Sequence, residues 1–222
     1  MTLNQEIIQL LESEGCKIIG FVDLKLLPQE YQEARQGADY AIIMGEPYGS
    51  AEGIRKNLEG DRAIESLERY RAALKELLKA KKYKSDIKYI TTTITYKMLA
   101  TLAGIGWIGK CAVLTTEKWG GTLRLASIAT NAPLVADMPI TKSQCPPNCY
   151  ICAEVCHAGA IKKNGVLWER FPDGTGIHRD EFFDVAACRK GREQHTPSSK
   201  GRPVCGKCIA ACPYTQSKVS KV

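Results

Sequence analysis

CPPNCYICAEVC at residues 145–156 and CGKCIAACP at residues 205–213 hold seven of the ten cysteines in this 222-residue chain. Cys149, Cys152, Cys156 and Cys205, Cys208, Cys212 repeat one spacing, CxxCxxxC, and each block has a further cysteine ahead of it, Cys145 and Cys188. A CxxC pair closes a tight loop around one centre. The third cysteine, at the start of a helix, faces the other way and reaches a second centre. Doubled, the pattern describes two four-thiolate sites that exchange one ligand, the arrangement of paired iron-sulfur clusters. One [4Fe-4S] cluster then takes Cys145, Cys149, Cys152 and Cys212, and the other takes Cys156, Cys188, Cys205 and Cys208.

Pro213 after Cys212 matches the Cys-Pro ending of such runs. Two details differ from the simplest pattern. Cys145 and Cys149 are spaced CxxxC, stiffened by Pro146 and Pro147, and His157 stands where a proline would follow the first block. Neither removes a thiolate. A pair of zinc knuckles is the competing reading, although zinc has no use for the third cysteine of each block. Disulfides are disfavoured by compartment: Leu10 and Leu11 run into Glu12, Ser13 and Glu14, so residues 1–30 contain no signal-peptide core. No apolar stretch approaches a membrane span. The expectation is a cytoplasmic protein with reduced thiols and no membrane partner.

The chain is long enough for one substantial core and one small module, here residues 1–139 and 140–222. Of the formal net charge of +7, +6 lies in residues 140–222. Two oxidised clusters of about −2 each would offset most of it, and a nucleic-acid surface is the other reading.

Thr2 and Gln5 form a capping box for a first helix with Leu3, Ile7, Leu10 and Leu11 on one face, stopped by Gly15. Apolar runs at residues 17–22 and 40–44 read as buried strands, with a helical stretch at 28–35 between them. Residues 61–82 read as the longest helix, carrying Ile64, Leu67, Leu74 and Leu78 on a stripe and a Glu65–Arg69 pair outside. Further strands are expected at 91–95, 112–115 and 123–129, and a short helix at 98–103. The fold class is α/β. Residues 162–203 read as a long irregular insertion.

AGIGWIGK at residues 103–110 contains GxGxxG, but it follows a helix and precedes a strand, the reverse of a dinucleotide fingerprint. Gly104, Gly106 and Gly109 suit a close backbone approach to a flat ligand, with Trp107 as a packing surface and Lys110 as a charge; a tight core turn is the alternative. Cys16 reads as a small buried hydrophobe. Cys111 adjoins the glycine segment, where Lys110 would favour its thiolate. His157 could bond a cluster sulfur, while His178 and His195 fall in the insertion.

AGIGWIGK about 35 residues ahead of a two-cluster module, GGTLRLA at 120–126, Ala132-Pro133-Leu134, both cysteine blocks and the lone Cys188 together resemble the epoxyqueuosine reductase family, in a superfamily shared with reductive dehalogenases. The resemblance runs from about Lys97 to Tyr214. It implies a nitroreductase-like α/β domain holding cobalamin and a ferredoxin-like module that reduces it, with a low-potential donor of ferredoxin or flavodoxin type and tRNA as substrate. Some positions depart from the family. Ile90 stands where the family has its acidic proton donor, with Asp86 the nearest acid; Thr93 and Tyr96-Lys97 replace proline and Glu-Arg, Cys111 replaces an asparagine, and no helical-repeat tail follows Cys212. Tyr96 and Cys111 are the substitute donor candidates. The leading expectation is an oxidoreductase that passes electrons from two clusters to a corrinoid. The alternatives are an electron-transfer protein serving a separate corrinoid protein, and FMN in the pocket.

Overall fold

The computed structural model describes residues 1–48, 58–85, 95–170, 176–193 and 205–219. Helix α1 (Leu3–Ser13) starts at the Thr2 and Gln5 capping box and ends where Gly15 takes φ +89°. Strands β1 (Ile18–Asp23) and β2 (Tyr40–Pro47) follow, then the long helix α2 (Leu58–Ala80), helix α3 (Tyr96–Leu102), the short pair β3 (Trp107–Ile108) and β4 (Leu114–Thr115), and strand β5 (Leu123–Thr130).

β2 lies between β1 and β5, antiparallel to both, with Ile42 opposite Phe21 on one side and Ile128 on the other. Both faces of the sheet are covered. Ile42 and Met44 point to the layer of α1 and α2, against Ile7, Leu11, Leu67, Leu74 and Leu78. Their neighbours Ala41 and Ile43 point to the α3 layer, against Leu99, Leu102 and Leu114. The two-residue period therefore shows as two different apolar sets, which is why β2 reads as an unbroken apolar run. Leu74 is fully buried in the first set. Leu74→Ala should cost about 2–5 kcal/mol, read as a lower midpoint in urea unfolding.

Several expectations are corrected. Residues 28–35 form two 3₁₀ turns, Gln29–Tyr31 and Glu33–Arg35, closed by Gln36 at φ +47°. The strand expected at 112–115 shrinks to Leu114–Thr115, because Ala112 takes φ +57° in a turn whose N–H bonds Gly109 O at 2.8 Å. Arg69 faces Glu14, with Nε–Oε2 3.3 Å, in place of Glu65. α1 packs beside α2, so the longer-range carboxylate is within reach. Residues 91–94 of the strand expected at 91–95 lie outside the described residues; Thr95 caps α3 through its hydroxyl.

The insertion expected to be irregular carries regular elements among its described residues. It holds the hairpin β6 (Glu169–Arg170) and β7 (Gly176–Ile177), then helices α5 (Arg179–Phe182) and α6 (Val185–Glu193). Asp184 Oδ1 accepts from Ala187 N at 2.9 Å and so caps α6. The cysteine blocks carry α4 (Ile151–Glu154), α7 (Lys207–Ala211) and α8 (Pro213–Val219). Residues 132–140 lie along the sheet layer, where Asp137 N bonds Phe21 O and Ile140 N bonds Thr101 O, both at 2.9 Å. From Thr141 onward the partners change: Thr141 O accepts from Arg170 N, and Ser143 N bonds Trp168 O. No helix among the described residues is long and apolar enough to cross a membrane.

Candidate functional site

The seven cysteines of the two blocks, and Cys188, are all half-buried and line two cavities. Cys145, Cys149, Cys152 and Cys212 line one of about 290 Å³. Cys156, Cys188, Cys205 and Cys208 line another of about 400 Å³. Cys212 thus stands with the first block, and Cys156 with the second. The cause is local. Cys149 and Cys152 flank the start of α4, and Cys156 follows its last turn, where its N–H bonds Ala153 O. Cys208 lies inside α7 and Cys212 caps its end, beyond the turn, in extended geometry. Helices α4 and α7 pack against each other, so each block's last thiol reaches the other block's cavity.

Among the described residues, no three His, Cys, Asp or Glu side chains converge on a single metal position. Zinc, with Zn–S near 2.3 Å, needs such convergence. A cubane is held from outside by one thiolate on each iron, so its ligands stand apart around a void. The donors here fit the second arrangement. Burial, and then the neighbouring Cys208, Cys145, Cys212 and Cys149, push the Cys152 thiol up to about 12. Burial also raises Cys212 and Cys188.

Lys110 shapes the first cavity. It is only 4% exposed, and its Nζ donates to Pro146 O at 3.0 Å, Pro147 O at 2.7 Å and Cys149 O at 2.8 Å, 4.2 Å above the Tyr150 ring. Its charge is directed at the cysteine loop, not at Cys111. Cys111 is buried and lines both cavities. A hydrogen bond to Cys208, with burial, holds the Cys111 thiol protonated and favours the thiolate on Cys208. This corrects the expectation of a Cys111 thiolate.

The glycine segment packs against protein. A Cβ on Gly104 would meet Met138 O at 2.5 Å, and one on Gly106 would meet Thr115 O at 2.3 Å. The close approach these glycines permit is to backbone, as in a core turn. Trp107 is 1% exposed and meets Tyr214 edge-on, centroids 5.0 Å apart. Gly109 lines the first thiol cavity beside Lys110. The α8 start is seated on the same surface: Thr215 is fully buried, and its Oγ1 accepts from Gly121 N at 3.1 Å.

A third cavity lies against α3. Of about 310 Å³, it is lined by Tyr31, Lys97, Met98, Trp168, Arg170 and Arg179, among others. It shares Lys97, Ala112 and Arg179 with the second thiol cavity and no lining residue with the first. Lys97 donates to Ala112 O at 2.7 Å, and burial, then Arg179, lower its pKa. Tyr96 is not among the residues lining these cavities, whereas Lys97 lines two. The sequence offered one signal for Lys97, its place in the position of the family arginine. Arg124 fell within the GGTLRLA stretch without being singled out, and nothing in the sequence pointed to Arg179 or Thr215.

Of the remaining candidates, Cys16 is buried with its thiol on Ile18 O, a core residue. His157 turns Nε2 to Gly191 O at 3.1 Å and also lines the second thiol cavity. His178 caps α5. Asp86, Ile90, Thr93 and His195 lie outside the described residues.

No family model matches the chain. In sequence it is 30% identical over 127 residues to the tetrachloroethene reductive dehalogenase of Sulfurospirillum multivorans, over 54% of this chain and 23% of that protein. It is 35% identical over 102 residues to the epoxyqueuosine reductase of Aliivibrio fischeri, over 43% of this chain and 27% of that one. The matches span about a quarter of the length of these curated relatives. In structure, a selenomethionine-labelled epoxyqueuosine reductase superposes with TM-score 0.66 at 19% identity, covering 97% of this chain and 66% of that one. A catabolic reductive dehalogenase in complex with 3-bromo-4-hydroxybenzoic acid gives 0.66 at 19%, covering 94% and 31%. The chain is thus similar in sequence to parts of epoxyqueuosine reductases and of a reductive dehalogenase, and it shares a mixed α/β fold with solved members of both.

Proposed function

We propose that the chain is an iron-sulfur oxidoreductase of the epoxyqueuosine reductase type. Residues 140–222 form a ferredoxin-like module with two [4Fe-4S] clusters, and residues 1–139 form a nitroreductase-like domain against which a corrinoid is held. The observation that carries this reading is the crossover of Cys156 and Cys212 between the two thiol cavities. A single-ion site has no need of it, whereas paired clusters use it to lie close together.

The residues around the outer cavity suit a flat ring with an amide-rich edge. Tyr31 and Trp168 offer aromatic walls, Met98 and Ile108 apolar contact, and Lys97 and Arg179 donors. A corrinoid bound there supplies a metal centre that accepts electrons singly and delivers them to a reducible bond. The chain's part is to bind and to shield. The thiolates fix the electron carriers, Lys110 seats the first loop, and Tyr31, Met98, Ile108 and Trp168 shield part of the acceptor site. Electrons come from a low-potential protein of ferredoxin or flavodoxin type. A solved epoxyqueuosine reductase carries an epoxyqueuosine-modified tRNA stem loop, and this supports tRNA as the substrate class here.

Anaerobic reconstitution tests the reading. About eight iron and eight sulfide per chain are expected, with base-off cobalamin bound by the loaded protein. One zinc per cysteine block and no visible absorption would overturn the cluster assignment. Tight FMN binding with no cobalamin binding would move the acceptor to a flavin.

A further inference from the structure

The two thiol cavities differ in the charge around them. The first is lined by one cation, Lys110, which is buried and bonds only neutral backbone carbonyls, so its single charge also acts there. The second is lined by Lys97, Arg124, Arg179, Arg192 and Lys207, and by no carboxylate among the described residues. These cations are not equal. Arg179, Arg192 and Lys207 are exposed, so water and salt weaken their fields, and Arg179 also pairs with Asp180, Nε–Oδ1 2.9 Å. Lys97 and Arg124 are half-buried, where the dielectric is lower. Lys97 bonds a neutral carbonyl, Ala112 O, so its charge is not cancelled by that partner.

Reduction adds one negative charge to a cluster, so a nearby cation favours the reduced form and raises the potential. Resting on the reading that both thiol quartets hold [4Fe-4S] clusters, we propose that the site of Cys156, Cys188, Cys205 and Cys208 has the higher potential and is the electron exit. One electron from a low-potential donor enters at the site of Cys145, Cys149, Cys152 and Cys212 and passes to the second. Cys111 lines both cavities, so a single side chain bridges the gap. The position of the outer cavity agrees with this direction, since it adjoins the second site and not the first.

The test is a redox titration of the loaded protein, poised with dithionite and followed by electron paramagnetic resonance. Cys188→Ala identifies the second-site signal by removing it. In the unmodified protein the second-site signal should appear first as the potential is lowered. Lys97→Met should shift the second-site reduction equilibrium about tenfold toward the oxidised form, 59 mV for one electron, and leave the first in place; Lys97→Arg should restore most of it. Arg192→Gln should give a smaller shift that fades with added salt. If the first site reduces at the higher potential, or Lys97→Met moves both sites equally, the proposal is wrong even though the clusters are present. Absence of two cluster signals in the unmodified protein would instead overturn the cluster reading itself.

Discussion

Cys212→Ala should empty the site built by Cys145, Cys149 and Cys152, more than fifty residues away in sequence, and leave the site nearest to it in the chain loaded. Iron should fall from about eight to about four per chain, and one of two signals should vanish from the reduced spectrum. The reason is geometric. Cys212 lies beyond the last turn of α7 in extended conformation and lines the first cavity, while Cys205 and Cys208 line the second. Cys156→Ala is the mirror experiment and should empty the site of Cys188, Cys205 and Cys208. Iron assay and spectroscopy on both variants decide the point. If Cys212→Ala instead costs the cluster of Cys205 and Cys208, the ligands do not cross over.

Lys110→Met should destabilise the first site alone. The ammonium is buried, all three of its protons are donated to carbonyls of residues 146, 147 and 149, and Tyr150 lies beneath it. Hydrogen bonds to a charged group contribute about 1.5–3 kcal/mol each, and the orphaned carbonyls add a penalty. Because the three bonds are not additive, a net loss of about 3 kcal/mol is expected. That corresponds to release of first-site iron to a chelator on the order of a hundredfold faster, with the second site unchanged. Arginine should not rescue it, since a planar guanidinium cannot aim three protons at carbonyls converging on one point. Equal loss from both sites would show that Lys110 supports the whole module and not this loop.

Much of the fold was legible in the sequence wherever the deciding interaction is short-range. Thr2 and Gln5 specify the start of α1 through bonds three residues apart. The largely apolar runs within Ile18–Asp23, Tyr40–Pro47 and Leu123–Thr130 specify strands, because a sheet covered on both faces buries apolar residues on both. The CxxCxxxC spacing is equally local: a turn brings two thiols together and sends the third away. The pairing of the strands was not legible, since antiparallel order depends on partners tens of residues apart.

The surroundings of the thiols were decided by tertiary structure alone. Periodicity and spacing say nothing about which backbone a glycine approaches, and Gly106 meets Thr115 only because β3 and β4 pair. Lys110 read as a charge for a ligand or for Cys111, yet its partners lie 36–39 residues further on and reach it only when the cysteine module docks on the sheet. Lys97, marked in the sequence only by standing in place of the family arginine, lies between a thiol cavity and an open one because residues of α3, α5 and the hairpin ahead of it line the same space. The sequence by itself determined the ligands and the elements, since both are fixed by neighbours along the chain. Which charges face which ligands was decided by packing between distant segments, because the field at a site comes from whatever folds against it.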